Sequence, residues 1–573
     1  MEEKRKAARV MTLSDSKLLT TDYAKGVTTH IIITSKKVFQ ACQRHLKDLK
    51  RQGTKAFPYI FDEEKGHRPV EYIQRFCKPS QGDYDRLELQ PWQHFIVGSL
   101  YGWVHKETGI RRFKEGLIFV GRKNGKSTLV SGLSLYSSSK DGENGARVYQ
   151  LANSKEQAKE VFDECVAMVK SSPILNRHFD PTNKEIRFGR TMSKIIPLAT
   201  DSKKMDGKNC SFGVFDEIHE YKNYKLINVI KNSTGARKQP LLLYITTAGY
   251  QLDGPLVDYY DKAADVLDGV IDDERCFYFL AELDEKDDLE DPENWVKANP
   301  NLGTTLKLET LIEEWESRKH IPAERSDFIT KRLNLFVKSD EQSFLDYSVI
   351  KRNDKVIDID TLKNRNCIGS FDLSESEDFT SACLEFPLDT GEVFVLSHSW
   401  IPRKKVLADN EKIPYLDFAD KGLLTIVDED YIKLEQVYDW FVAKSQIYTI
   451  EKIAYDPAKA YRLVKDLESY GFITEVVRQG PLTLTPGLRD LETMFMDGKV
   501  IFNKNRLLRW YINNVKLKKN ENGSWLPQKQ NRYRKIDGFA ALLNSHVKTM
   551  EILAKPQGSG NVKVLSIKEL LRG

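Results

Sequence analysis

The residues best suited to chemistry begin at Gly121. An apolar run, Leu117 to Val120, leads into Gly121-Arg122-Lys123-Asn124-Gly125-Lys126-Ser127-Thr128, which opens a helix-compatible segment. Glycines let backbone N–H groups curl round a polyphosphate, a lysine supplies a cation, and a serine hydroxyl suits Mg²⁺ while the helix N-terminus faces the anion. Gly121 to Thr128 are therefore the candidate nucleotide-binding loop, with Lys126 on the phosphates and Ser127 on the metal. The loop departs from G-x-x-x-x-G-K-[ST]: Val120 stands where the first glycine belongs, and Gly121 comes one residue late. Further on, the apolar stretch Cys210 to Phe215 runs into Asp216-Glu217. A strand ending in two carboxylates beside a phosphate loop supplies a Mg²⁺ ligand, assigned to Asp216, and a group that polarises the attacking water, assigned to Glu217. Thr246-Thr247-Ala248-Gly249 ends the next strand, where small hydroxyl residues can sense the γ-phosphate and pass its loss to a moving domain; the competing reading is an ordinary strand end. Upstream, the Gln93 amide can donate and accept at once, as an adenine edge requires, which makes ATP the expected nucleotide. Alternatively, Pro91-Trp92-Gln93 only starts a helix on which Trp92 packs.

The second half carries a different set. Strands are expected at Cys367 to Leu373, Thr380 to Phe386, Val393 to Ile401 and Lys452 to Tyr455, with a helix over Lys433 to Tyr448 and a long one from Asp537 to about Leu553. Asp372 falls on the first of these strands, Asp456 just after the fourth and Asp537 at the head of the last helix, an RNase H-like order. Such folds bring the first and fourth strands together, and crowded carboxylates need cations. Two Mg²⁺, or Mn²⁺, would relieve the repulsion, activate water and stabilise the leaving oxygen of a phosphodiester. Asp378, in a turn beside Asp372, is an additional ligand candidate. Between the second and third carboxylates, Lys516, Lys518, Lys519, Arg532, Arg534 and Lys535 belong to a stretch from Lys499 to Lys535 that holds one acid, Glu521, and the aromatics Trp510, Tyr511, Trp525 and Tyr533. Basic residues interleaved with aromatics suit a phosphate backbone, bound in a salt-sensitive and largely sequence-blind way. A solvated charged face is the alternative.

The elements that must position these residues divide the chain. At 573 residues it is long enough for two or three domains, and 40% hydrophobic content excludes a disordered chain. Lys+Arg 88 against Asp+Glu 83 leaves a net charge of +5, so partners must be read from local clusters. Seven scattered cysteines without a C-x-x-C pair point to reduced thiols rather than a zinc module. The charged start MEEKRKAARV and the lack of a long apolar run predict neither secretion signal nor membrane span. The expected plan is α/β throughout. It has a helical lead-in over 1–85, a P-loop ATPase of the ASCE or RecA-like type with a parallel central sheet over 86–340, a linker over 341–365, an RNase H-like nuclease over 366–555 and a flexible tail over 556–573. In the ATPase, Ser154-Lys155-Glu156-Gln157 is a capping box opening a core-facing helix.

Taken as a set, the loop Arg122-x-x-Gly125-Lys126-Ser127, Pro91-Trp92-Gln93, Phe215-Asp216-Glu217, Thr246 to Gly249, the W-x-x-A-N-P-x-L-G run at Trp295 to Gly303 and the C-terminal nuclease pattern resemble the large terminase subunit of tailed phages, over roughly residues 85 to 553. The resemblance implies that Arg122 is an arginine finger acting in cis. It also implies that ATP hydrolysis drives double-stranded DNA into a procapsid through the portal, and that the nuclease cuts concatemeric DNA. Further implications are a homo-oligomeric ring on the portal, a small terminase subunit as partner, and a place in the cytoplasm of the infected host rather than the mature virion. Two other classes share parts of this pattern. A helicase-like translocase or repair motor needs only the ATPase half, and a transposase or integrase partner ATPase keeps the fold without metal-dependent cutting.

Overall fold

The computed structural model describes residues 18–80, 82, 86–199, 208–250, 254–336, 343–374, 379–407, 413, 415–519, 523–529 and 535–553. The chain forms two units, Met1–Ser339 and Asp340–Gly573.

In the first unit β1 (Tyr59–Phe61) and β2 (Trp103–His105) make a small antiparallel pair. The main sheet contains β3 (Glu115–Phe119), β4 (Arg147–Ala152), β5 (Phe179–Pro181), β6 (Ile186–Phe188), β7 (Ser193–Ala199), β8 (Phe212–Asp216), β9 (Leu241–Thr246) and β10 (Cys276–Leu280). Their order is β10-β3-β9-β8-β4-β7-β6-β5, parallel from β10 to β7 and antiparallel beyond. Parallel strands are covered on both faces, so they read as continuous apolar runs; β8, β9 and β10 are buried at every residue. β10 is absent from the expected strands because a short apolar run gives no period to separate strand from helix. The Ser154/Gln157 capping box forms at the head of the helix Lys155–Ser171. That helix turns Val161, Phe162, Cys165 and Val169 into the core.

The described residues of the N-terminal stretch are largely helical and pack on the sheet layer. Helices Thr20–Thr28, Lys36–Arg51 and Glu63–Phe76 send Tyr23, Val38, Val70 and Ile73 into the same apolar cluster as Val130, Phe277 and Phe279 of the sheet layer. Buried Arg112 pairs with Asp48 of the second helix at 2.7 Å and with Glu274, which fixes that helix against the start of β10. Beyond β10, helices Leu308–Arg318 and Pro322–Lys331 build a small cluster of their own around Trp295, Trp315 and Phe328.

The second unit has β11 (Asn366–Asp372), β12 (Thr380–Pro387), β13 (Val393–Pro402), β14 (Leu424–Val427), β15 (Thr449–Tyr455) and β16 (Thr474–Val476) in the order β14-β13-β12-β11-β15-β16. β17 (Val500–Ile501) lies beside β13, and β18 (Val515–Lys519) pairs antiparallel with β19 (Trp525–Lys529). The short β14 precedes β15, so Asp456 follows the fifth strand of this unit rather than the fourth. The central pairing of β11 with β15 is nevertheless parallel, as an RNase H-like sheet requires. Residues 343–365, within the span expected as a linker, contribute to the core of the second unit. Phe344, Leu345, Val349 and Ile350 enter the core, and buried Asn353 donates to the Phe495 carbonyl at 2.7 Å and accepts from the Val500 N–H at 3.0 Å.

Candidate active sites

β3 feeds a loop that turns at Lys123 (φ +64°) and Gly125 (φ +75°) into the helix Lys126–Ser139. The displaced glycine has a local cause. A Cβ on Gly121 would stand 2.8 Å from Asn299 Oδ1 and 3.0 Å from the carbonyls of Ala298 and Arg332. Glycine is needed there for close approach of backbone, not for a left-handed turn. The loop is also clamped from outside. Gly121 N–H donates to the Ala298 carbonyl (3.1 Å) and Arg122 N–H to that of Lys331 (2.8 Å). Asn124 Nδ2 donates to the Gly121 carbonyl (3.0 Å) and to Asn299 Oδ1 (2.9 Å), and its Oδ1 accepts from the Asn301 N–H (3.0 Å). Asn301 Oδ1 in turn accepts from the Trp92 indole at 2.7 Å.

Lys126 is 7% exposed, and its ammonium donates to the carbonyls of Val120 (2.7 Å) and Gly121 (3.2 Å). Burial lowers its pKa, with Glu217 and Asp216 acting in the opposite sense. Asp216 ends β8, and burial followed by the charge of Glu217 pushes its carboxyl up to about 7. Burial disfavours the Glu217 charge as well, but His219, whose Nδ1 lies 3.0 Å from Oε2, with Lys126 and Arg122, outweighs it and holds that carboxyl below the usual carboxylate range. Buried Asp216 and half-buried Glu217 at the end of β8, with the Ser127 hydroxyl at the head of the loop helix, are an oxygen donor set suited to Mg²⁺, whose charge would compensate Asp216. Ser127 and Lys123 are exposed, while Arg122 and Thr128 are half-buried. Gln93 is buried against the loop, its amide nitrogen 3.8 Å from the Cβ position of Gly125. Its Oε1 accepts from the Gln90 N–H at 2.8 Å, so the residue also caps the helix Pro91–Gly102. β9 lies between β3 and β8, the ASCE arrangement, and Thr246 carries its carbonyl to the Val120 N–H at 3.1 Å. Ala248 N–H donates to Asn334 Oδ1 at 2.7 Å.

In the second unit Phe371 and Tyr455 are partners in the β11–β15 ladder, and their rings stack at 5.7 Å on one face. Side chains alternate, so Asp372 and Asp456 leave the two strand ends side by side towards the other face. That face is covered by the helix Asp537–Leu553. Ser370 Oγ donates to the Ala541 carbonyl at 2.6 Å, and Asn544 Nδ2 to that of Phe371 at 3.4 Å. One turn before Ala541, Asp537 comes level with the end of β11, and it is 7% exposed. Asp456 Oδ1 accepts from the Ala458 N–H at 2.9 Å, which sets the turn after β15. Among the described residues, no three His, Cys, Asp or Glu side chains are grouped closely enough to hold a metal. Asp378 lies outside the described residues.

The description "Terminase large subunit, ATPase domain" matches residues 91–265, and "Terminase large subunit, endonuclease domain" matches residues 270–551. The chain belongs to the large terminase subunit family. It is 25% identical over 508 residues to the terminase large subunit of Lactococcus phage SK1, covering 84% of this chain and 91% of that protein. With the terminase large subunit of Enterobacteria phage HK97 it shares 24% identity over 492 residues, covering 84% and 95%. The crystal structure of the HK97 bacteriophage large terminase, 22% identical, covers 84% of this chain and 99% of that chain with a TM-score of 0.47. This terminase subunit therefore joins an ATPase to an endonuclease, the pair of activities that packages phage DNA and cuts its concatemers. The two domains use nucleotide and divalent metal. Among the described residues no helix is long and apolar enough to cross a membrane.

The basic stretch of the terminase nuclease is not one continuous track. Arg509 is buried and pairs with Asp354 at 2.5 Å, Arg506 pairs with Asp417 at 2.9 Å, and Lys535 is only 8% exposed. On β18 Lys518 is exposed and Lys516 half-buried, while the Lys519 side chain, Arg532 and Arg534 lie outside the described residues. Sequence reasoning missed His219, Asn299, Asn301 and Asn334. The run Trp295 to Gly303 contains both asparagines, 299 and 301, but enters the sequence reading only as one motif of the family resemblance.

Proposed function

We propose that this terminase subunit hydrolyses ATP on Gly121 to Thr128, with Lys126 on the phosphates, Ser127 and Asp216 holding Mg²⁺, Glu217 as base, Arg122 as a finger in cis and Gln93 against adenine. When bound, Mg²⁺ neutralises the charge that develops on the transferred phosphoryl group. The chain contributes position. The asparagine clamp fixes the loop, Lys126 lies at its mouth, and Glu217 is held ionised, the state a base needs at neutral pH. Thr246 to Gly249 pass the state of the site to a movement that translocates double-stranded DNA. Cutting falls to Asp372, Asp456 and Asp537, joined by Asp378, which would hold Mg²⁺ or Mn²⁺; when bound, the metal would activate water. Lys516, Lys518, Lys519, Arg532, Arg534 and Lys535 are the candidates for contact with the DNA backbone, of which Lys535 is buried in this structure. The subunit works as a ring on the portal of a procapsid with the small terminase subunit, in the cytoplasm of the infected host.

The observation carrying this reading is that each sheet presents its own carboxylates at the carboxyl ends of its parallel strands, Asp216-Glu217 after β8 and Asp372 with Asp456 at β11 and β15. The test is plasmid linearisation with Mg²⁺ or Mn²⁺, comparing wild type with Asp456→Ala while ATP turnover is followed in the same preparations. Cutting lost with turnover kept supports two separate sites. Wild-type protein that turns over ATP and never cuts removes the nuclease assignment.

A further inference from the structure

β8 does not pass its two carboxylates directly into a helix. Glu217 takes up a left-handed backbone conformation (φ +46°), and a short 3₁₀ turn, Ile218–Glu220, brings His219 back over the strand ends. There the imidazole Nδ1 lies 3.0 Å from Glu217 Oε2 and 3.0 Å from Thr246 Oγ1. The threonine hydroxyl already donates to the Thr247 carbonyl at 2.8 Å, and its oxygen receives the His219 backbone N–H at 3.3 Å. Thr246 is therefore an acceptor towards the ring, and an ionised Glu217 is an acceptor too. Two acceptors lie 3.0 Å from one Nδ1; in this structure the hydrogen bond is made with Thr246, and the buried Glu217 Oε2 is left without one.

The other end of the same segment closes on the same ring. A Cβ on Gly249 would stand 2.7 Å from His219 Cβ and 2.8 Å from Cδ2, so Thr246 and Gly249 bracket the imidazole. Between them, the Ala248 N–H is held by Asn334, whose Nδ2 donates to the Ala281 carbonyl at 2.7 Å. The contacts thus run from the carboxylate of Glu217 through one imidazole to the end of β9, and from there to the chain after β10.

We propose that His219 is a positioning residue that shares one Nδ1–H between Glu217 and Thr246, so that the aim of the base and the position of the β9 end are set together. This rests on the reading of Glu217 as the base and of Thr246 to Gly249 as the coupling segment. With the hydrogen given to Glu217, the carboxylate is fixed and Thr246 Oγ1 keeps only the His219 backbone N–H as a donor. Given to Thr246, it anchors the strand end and releases the carboxylate to turn. A displacement of either partner is felt by the other through that single donor.

The experiment uses the full chain and measures kcat and KM for ATP, with and without double-stranded DNA, in His219→Leu, His219→Asn, Thr246→Val, the double variant His219→Leu/Thr246→Val, and Glu217→Gln. Loss of a group that orients a catalytic carboxylate lowers kcat by about tenfold or more while KM stays within about threefold. His219→Asn, whose amide nitrogen takes the place of Nδ1, recovers most of that loss. Since both single variants break one shared link, the double variant falls no further than His219→Leu, whereas independent roles multiply. Wild-type kcat and DNA stimulation in His219→Leu, or multiplicative losses in the double variant, overturn the proposal. If His219→Leu does not fold, Thr246→Val decides: a kcat loss at unchanged KM upholds the link, and wild-type turnover ends it. Glu217→Gln separates the two levels. If it keeps wild-type turnover, the assignment of the base fails; if it is inactive while His219→Leu is normal, only the link fails.

Discussion

At the phosphate loop, side chains from far along the chain hold the backbone. Asn124, Asn299, Asn301 and Trp92 exchange hydrogen bonds of 2.7 to 3.0 Å, and Asn299 Nδ2 is itself fixed on the Arg332 carbonyl at 2.8 Å. The nuclease carboxylates are placed in another way. Asp372 and Asp456 owe their proximity to the register of two parallel strands, and Asp537 to the packing of one helix on that sheet. The first site is arranged as a rigid cradle for an anion, which suits chemistry that consists largely of positioning and electrostatics. The second presents negative charge at the ends of main-chain elements. The difference teaches where each site is fragile: the ATPase through its network of amides, the nuclease through its charges.

The largest effects follow from removing charge. Lys126→Ala is expected to lower ATP turnover by about 10²-fold or more, as loss of a preorganised charge does, while cutting persists. Asp537→Ala should abolish plasmid cutting and leave ATP turnover within about twofold, because its removal touches none of the amide network. Parallel ATPase and linearisation assays measure both. If either substitution damages both activities equally, the two sites are not arranged independently.

A smaller effect sharpens the account of the cradle. Asn301→Ala removes the acceptor of the Trp92 indole and a donor to the Asn124 carbonyl (3.2 Å), leaving buried groups without partners at a cost of about 1–3 kcal/mol. The loop then loses its set shape, and nucleotide affinity, read from binding of a slowly hydrolysed ATP analogue, should fall by about tenfold. The nuclease has no counterpart to this variant. Truncating Asn544, which donates to the Phe371 carbonyl, should leave metal-dependent cutting much closer to normal.

Features that announce themselves locally were legible in the sequence. The strand-loop-helix from Leu117 onward, the S-x-x-Q capping box at Ser154 and the apolar strand running into Asp216-Glu217 each occupy a few consecutive residues with a physical rule attached. What could not be read was partnership. Nothing near Asn299 or Asn301 says that the phosphate loop is the other half of their hydrogen bonds, and nothing near Arg509 says that Asp354 will bury it. A basic residue looks the same in sequence whether it meets DNA or a carboxylate of its own core. The N-terminal helices show the same limit, since Val38 and Ile73 are visibly apolar but the sheet they cover begins beyond them. β14, four residues long, lacks the length from which a strand is recognised.

Gly121 tests whether the displaced glycine is a matter of space. Gly121→Ala places a methyl group against two backbone carbonyls, Ala298 and Arg332, which cannot swing away as a side-chain end could. An overpacked site of that kind costs about 3 kcal/mol, at the upper end of the usual range. A lowered melting temperature of the ATPase unit, with its ATP turnover reduced, is the expected outcome. An unchanged melting curve shows that the loop moves freely relative to Ala298 and Arg332.

The smallest effect concerns a side-chain network of the nuclease centred on buried His546, and it holds a helix rather than a reacting group. His546 Nδ1 lies 2.7 Å from Glu385 Oε1 and its Nε2 3.0 Å from Asp490 Oδ2, while Thr549 Oγ1 donates to Glu385 Oε2 at 2.9 Å. Burial alone disfavours the imidazolium, but the charge of Glu385 and the hydrogen bonds to Asp490 and Glu385 win, raising its pKa to about 9. A group whose folded pKa exceeds its unfolded value gives stability that is full below about 6.5 and is lost as pH rises through about 9. Between pH 7 and 8.5 the nuclease unit should lose about 2 kcal/mol. His546→Gln, which cannot carry the charge, should be less stable at pH 7 and flat across that window. Denaturant melts of the full chain at the two pH values decide it. A wild-type nuclease transition with no pH dependence there shows that His546 is neutral in the folded state, and that the helix carrying Asp537 is held without an ion pair at His546.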